Sequence, residues 1–239
     1  MTVGMTEGTK SDFHFDEALR ERGVTGAYSL LLGADQSLTP PNEIAAFVDG
    51  VVAGVRERAI RDLITADPVY AGFRELHKSF GVPTRKLLSA AETLIRYVEK
   101  RGDIPRIGPL VDVYNAVSLE TRLSLGAHDL DTVTGGISVR LTTGAERYHP
   151  VGATEPEPVR PGEYSYIDGR GTDGPGDVIC RLEVRQSEKT KVTPATRDVF
   201  LIVQGNAATP PDYVQAGHDR LTALLQRFFG GEIVPLHHP

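Results

Sequence analysis

The chain has 239 residues, 40% hydrophobic and 24% charged, which is enough for one large domain or two small ones around a sizeable core. Its 26 Lys+Arg against 32 Asp+Glu give a formal net charge of −6 with no long run of one sign, which argues against a nucleic-acid-binding arm or an acidic tail but leaves room for a local basic face. A single cysteine, Cys180, excludes an internal disulfide framework and a thiolate metal cluster, and the absence of a long uncharged apolar run predicts a cytoplasmic protein without a membrane span.

Residues 1–12 are polar and lack periodicity, so they read as a loose tail. "GAYSLLLGA", Gly26 to Ala34, reads as a short buried strand ended by turn residues. Behind Pro40 and Pro41, apolar residues from Ile44 to Ile60 recur at helical spacing and predict one amphipathic helix over Asn42 to Leu63. A second helix is predicted from Val69 to Phe80. A third begins at Thr84 and ends at Gly102, with Leu87, Leu88, Ala91, Leu94, Ile95 and Val98 on one face.

After about residue 130 the pattern changes. "GISVRL", "EYSYID", "DVICRLEVR" and "DVFLIVQG" are alternating or β-branched runs separated by Gly, Pro and Asp clusters, the signature of a sheet. "GATEPEPVRPGE" between them reads as a loop within one domain, and a final amphipathic helix is predicted over Asp212 to Phe229. These elements predict an α+β fold: N-terminal helices packed on a later, mostly antiparallel mixed sheet, with a C-terminal helix, in a single domain over 13–239.

Strong catalytic motifs are absent from the sequence. "GRGTDG", Gly169 to Gly174, matches G-x-G-x-x-G, but a strand-like run follows it instead of a helix, so it reads as a turn between strands. His128, Asp129 and Asp131 cluster in "HDLD" without metal-ligand spacing and read as a polar loop; neither a metal nor a cofactor is expected. Cys180 sits among apolar neighbours in "VICRLEV" and reads as an inert buried thiol, and His237 and His238 read as a frayed end.

The most informative stretch is "PLVDVYNAVSLE", Pro109 to Glu120. If it is helical, Leu110, Val113 and Val117 form one apolar stripe, and Asp112 and Asn115 sit side by side on a neighbouring face. Two such polar groups beside a core either tie the helix to a loop or point into a pocket.

"VD-x-x-N" on that helix (Val111, Asp112, Asn115) is followed by "D-L-D" (Asp129 to Asp131), a strand with Arg140, and a Gly144-Ala145-Glu146 turn. This order, with Thr196 and Arg197 before the strand that follows them, resembles the B3/B4 domain of the phenylalanyl-tRNA synthetase β subunit, and more closely its free-standing relatives, over roughly residues 80–206. The resemblance implies amino-acid recognition beside the "VD-x-x-N" helix, where Asp112 and Asn115 look chiefly like helix-to-loop fasteners. It also implies hydrolysis of a mischarged aminoacyl-tRNA ester in trans. Such an ester is already activated, so a pocket that selects the side chain, orients a water and donates to the oxyanion is enough.

The sequence departs from the synthetase pattern at two telling places. Aligning on Asp129 puts Gly126 where the synthetase motif carries a histidine, and the family's acidic residue on the later strand falls at Ile202. The remaining candidates for activating water are His128, Glu163 and Asp129, and those for binding substrate are Tyr114, Asn115, Gly126, Thr196 and Arg197. Three readings follow. One is a trans-editing hydrolase whose partner is a weakly held aminoacyl-tRNA; the second is a non-catalytic module that binds an amino-acid-like small molecule or a partner enzyme of modified-amino-acid biosynthesis; the third is an enzyme acting on a free amino-acid derivative.

Overall fold

The computed structural model describes residues 12–82, 87–169 and 174–236. Strand β8 (Val199–Gly205) lies where its three layers meet. Its side chains alternate, as a strand's must: Val199, Leu201 and Val203 enter a core shared with helices, while Phe200 and Ile202 face a second sheet. Every residue of β8 is buried, which is why "VFLIVQG" is almost continuously apolar instead of alternating with polar residues.

β8 belongs to a four-stranded antiparallel sheet in the order β3 (Ser124–Asp129), β8, β2 (Thr25–Leu32), β9 (Glu232–Leu236). Helices α2 (Pro41–Arg56), α5 (Ala90–Arg101), α6 (Pro109–Thr121) and α7 (Pro211–Phe229) cover one face. The other face packs on a five-stranded sheet, β1 (Phe13–Phe15), β4 (Ile137–Leu141), β5 (Tyr164–Asp168), β6 (Asp177–Arg181) and β7 (Arg185–Gln186), in which only the β1–β4 pair is parallel. Short helix α1 (Glu17–Glu21) links β1 to β2; α3 (Ile60–Ala66) and α4 (Pro68–Ser79) follow α2, and α4 inserts Val69, Phe73 and Leu76 into the core between the sheets. The class is α+β, and no described helix is long and apolar enough to cross a membrane.

Several sequence expectations are corrected. The mostly antiparallel α+β arrangement holds, but its strands divide into two sheets, and three of them carried too little signal to be read: β1 has three residues, β9 follows two glycines, and β3 is "SLGAHD", poor in β-branched residues and held as a strand by its register with β8. "HDLD" is therefore the end of a strand and a 3₁₀ turn over Leu130–Thr132, with Asp129 capping the turn by accepting from Asp131 N at 3.0 Å. The helix predicted over Asn42 to Leu63 breaks after Arg56, since no apolar residue between Val55 and Ile60 extends its buried stripe apart from Ala59, which is exposed. The third helix begins at Ala90, not Thr84, with Ser89 Oγ accepting from Glu92 N at 3.1 Å; Leu87 and Leu88 precede it. Gly102 ends it in the left-handed conformation at φ 79°, as expected of a helix C-terminus. Thr84, the centre of "GRGTDG" (residues 170–173), residues 1–11, His237 and His238 lie outside the described residues.

Candidate functional site

Edge strand β3 leaves a gap between the helices and the five-stranded sheet, and there a cavity of about 300 Å³ opens. Its walls come from α5 (Thr93, Leu94, Tyr97), α6 (Tyr114, Asn115), β3 (Ser124, Leu125, Gly126), the β6–β7 hairpin (Cys180, Glu183, Val184, Gln186) and Ile202 of β8. Segments far apart in the chain thus build one site, of a volume suited to a small ligand.

Helix α6 answers the question that its sequence posed. Leu110, Val113 and Val117 are buried in the helix-side core, as the stripe predicts. Asp112 is a fastener: its Oδ1 accepts from the backbone N–H of Ile107 at 2.9 Å and of Gly108 at 3.3 Å, tying the preceding loop to the first turn. Asn115 turns the other way and lines the cavity, its side-chain amide bonded to no described residue. Tyr114 beside it donates or accepts a bond with Gln186, and burial pushes its phenol pKa well up. Ser124 Oγ is buried with no partner among the described residues, an arrangement that is expensive unless something else satisfies it.

Gly126 and Ile202 are cross-strand partners, and both line the cavity. The two positions at which the sequence departs from the synthetase pattern therefore face each other on one wall. A Cβ on Gly126 would come within 3.2 Å of Gln186 Nε2, so the glycine keeps that wall open.

Sequence reasoning missed a polar chain that runs behind the cavity. Glu183 Oε1 pairs with His77 Nε2 at 2.7 Å, both side chains being 1% exposed, and its Oε2 accepts from Tyr164 OH. Gln204 Nε2 donates to Tyr164 OH at 2.9 Å and its Oε1 accepts from Tyr166 OH at 2.5 Å. Burial pushes the His77 pKa down, but the charge and hydrogen bond of Glu183 overcome this and the net direction is up; Glu183 is opposed by burial in the same way and is held down by His77. Leu182, at φ 54°, makes the left-handed turn that brings Glu183 to this position. The only sequence signal was a charged residue inside the apolar run "VICRLEV".

Three of the predicted substrate-binding residues, Tyr114, Asn115 and Gly126, are brought together at the cavity. The other predicted residues lie elsewhere. His128 is fully buried between the sheets, with Nδ1 bonded to Thr190 Oγ1 at 2.8 Å and Nε2 unpartnered, and burial lowers its pKa to about 3, so it stays neutral. Glu163 is held by Arg181 at 2.7 and 3.0 Å. Asp129 Oδ2 accepts from Thr196 Oγ1 at 2.6 Å, closing the loop before β8, and Arg197 is exposed there. Cys180 sits on the cavity wall in β6, and burial pushes its thiol pKa well up. No group of three or more His, Cys, Asp or Glu among the described residues is arranged to hold a metal ion.

Residues 83–230 match the B3/4 domain. The chain belongs to the B3/4 domain family. Among solved structures it is similar to an N-terminal fragment of the phenylalanyl-tRNA synthetase β subunit from Pyrococcus horikoshii, at a TM-score of 0.49 and 14% identity, with 98% of this chain and 53% of that one covered. The B3/4 chain thus spans about half the length of that fragment. No curated protein matches it.

Proposed function

We propose that this B3/4 protein deacylates aminoacyl-tRNA in trans, with the amino-acid side chain held in the cavity between α5, α6 and β3. The observation that carries the reading is the pair of polar side chains on that cavity's wall. Ser124 Oγ is buried without a partner among the described residues, and the half-buried Asn115 amide lines the same, largely apolar, wall. An amide and a hydroxyl so placed supply donors for an ester oxygen as charge develops on it and acceptors for an attacking water. Glu183 is engaged by both His77 and Tyr164, so the pocket works by selecting and orienting the ester, with the rate coming from position and not from a strong base.

A second reading, a non-catalytic module that binds an amino-acid-like molecule beside a partner enzyme, is favoured by the Gly126–Ile202 pair, neither of which can activate water. The deciding experiment measures release of amino acid from tRNA charged separately with each amino acid, using the purified protein and its Asn115→Ala and Ser124→Ala variants. The hydrolase reading expects release from one or a few charged tRNAs and a loss of about tenfold or more in the variants. Uniform inactivity, together with saturable heat on titrating free amino acids, would replace it with the binding module.

A further inference from the structure

Helix α5 separates the cavity from a second feature. Thr93, Leu94 and Tyr97 line the cavity, whereas Val98, Glu99 and Gly102 line an open groove of about 530 Å³ against the turn between α2 and α3. Arg56, Arg58 and Arg61 form the far side of that groove. Arg61 is paired with Glu99 at 2.8 Å; Asp62 is the other carboxylate on the lining. Arg56, Arg58, Lys100 and Arg101 are exposed and lie in no ion pair among the described residues, although most other arginines of the chain do. Lys100 and Arg101 suit the C-terminal end of a helix on their own account. Arg56 closes the last turn of α2 in the same way and Arg58 follows its cap, so two helix C-terminal ends meet at this groove and concentrate exposed cations around it.

The mouth of the cavity is unusual in the opposite sense. Among the described residues four large hydrophobic side chains are exposed, and three of them, Tyr97 at 41%, Ile107 at 67% and Val151 at 50%, line this one cavity. Tyr97 stands three and four residues before Lys100 and Arg101, hence on the same face of α5 one turn away, roughly 6 Å between Cβ atoms. An exposed aromatic ring beside unpaired cations is the arrangement that holds single-stranded nucleic acid: bases stack on the ring, and phosphates follow the charge.

Resting on the aminoacyl-tRNA reading, we propose that the exposed Tyr97, Lys100 and Arg101 of α5, continued beyond the helix by Arg56 and Arg58 on the far side of the groove, form the docking surface for the acceptor end of tRNA. The aminoacyl group enters the cavity, the terminal base stacks on Tyr97, and the preceding phosphates lie along the groove. The net charge of −6 is an average over the whole surface, whereas the field that a phosphate meets at the groove is local. The same surface explains how a protein with an acidic average takes up a polyanion.

Binding of an uncharged, fluorescently labelled tRNA tests the surface without requiring turnover. Anisotropy is read across a salt series, beside a stem duplex that lacks the single-stranded 3′ end. Wild type is expected to bind in roughly the micromolar range at low salt. The pairs Lys100→Glu with Arg101→Glu, and Arg56→Glu with Arg58→Glu, are each expected to weaken binding about tenfold and to flatten the plot of log affinity against log salt by about 0.7 per lost phosphate contact. Tyr97→Ala should weaken the tRNA and spare the duplex, and Arg227→Glu, the same charge change on α7, should do neither. All these side chains are exposed, and an unchanged melting curve verifies each fold. No tRNA binding by wild type, or an equal loss with Arg227→Glu, would overturn the proposal. Binding without ester release would sink the hydrolase and keep the surface; ester release with an unaltered KM in the α5 variants would do the reverse.

Discussion

The two faces of the four-stranded sheet are built from the same strands and differ in kind. Toward the helices, Leu31, Leu125, Ala127, Val199, Leu201 and Val203 pack against α2, α5, α6 and α7 with few polar groups, chiefly the His218 Nε2 to Ser29 Oγ bond at 2.9 Å. Toward the other sheet, Phe200, Ile202 and Tyr28 share space with Tyr164, Tyr166, Gln204, Glu183 and His77, which are linked to one another. The apolar face contributes stability through burial and tolerates a change of shape. The polar face gives a unique arrangement, because a network with one member missing is worse than none. The cavity opens beside the second face, where Glu183 is both wall and network, and its geometry is fixed by bonds that the helix face does not have.

The sharpest break in this contrast is Glu183→Ala, which strands His77 in the interior and should destabilise by ~3–5 kcal/mol in urea unfolding. Leu201→Ala on the apolar face should fall in the ~2–5 kcal/mol range and leave the cavity ligand-competent, while the Glu183 variant should lose ligand binding at temperatures where it is still folded.

The pH dependence separates the faces next. His77 is raised in the folded state, so its contribution is complete below its ordinary 6.5 and is lost as pH rises through the higher folded value. Glu183 is lowered, so its contribution is present above its ordinary 4.5 and is lost as pH falls through the lower folded value. The pair therefore contributes most between those two ordinary values. His128 opposes it: with a folded pKa of about 3 it stays neutral while the unfolded chain takes up a proton below 6.5, and stability drops by up to ~1.4 kcal/mol per pH unit on that account. His128→Gln should reduce the slope between pH 6 and 4 in denaturant titrations.

Smaller effects distinguish the neighbours on α6. Asp112→Ala removes the acceptor for two loop N–H groups and should lower stability by about 1 kcal/mol without abolishing ligand binding. Asn115→Ala should change stability by less than ~0.5 kcal/mol in the same melts and weaken ligand binding in calorimetry; the reverse pattern would exchange their roles.

Legibility in the sequence followed the length and buried periodicity of each element. Helices α2, α4 and α7 and strands β2, β4, β5 and β8 announced themselves, since each buries a continuous face and shows it as a repeat. β3 did not. Its "SLGAHD" alternates only Leu125 and Ala127 with Ser124, Gly126 and His128 and has no β-branched residue, a signal too short to read before its pairing with β8 is known; that one omission hid the place of Ser124 on the cavity wall. Of the site itself, Tyr114, Asn115 and Gly126 were legible through the α6 pattern and the departure at residue 126. Glu183 and His77 were not, being 106 residues apart and joined only across the folded interior.

By itself the sequence determined the α+β class, the B3/4 resemblance and the helix stripe that places Asn115, because local spacing and residue type are properties of a chain read in order. It could not decide that there are two sheets instead of one, or that His128 is sealed and neutral while Ser124 Oγ finds no partner among the described residues. Those outcomes depend on which distant strands pair and which polar groups find partners, and hydrogen-bond satisfaction in a buried interior is settled only once the whole chain has closed around it.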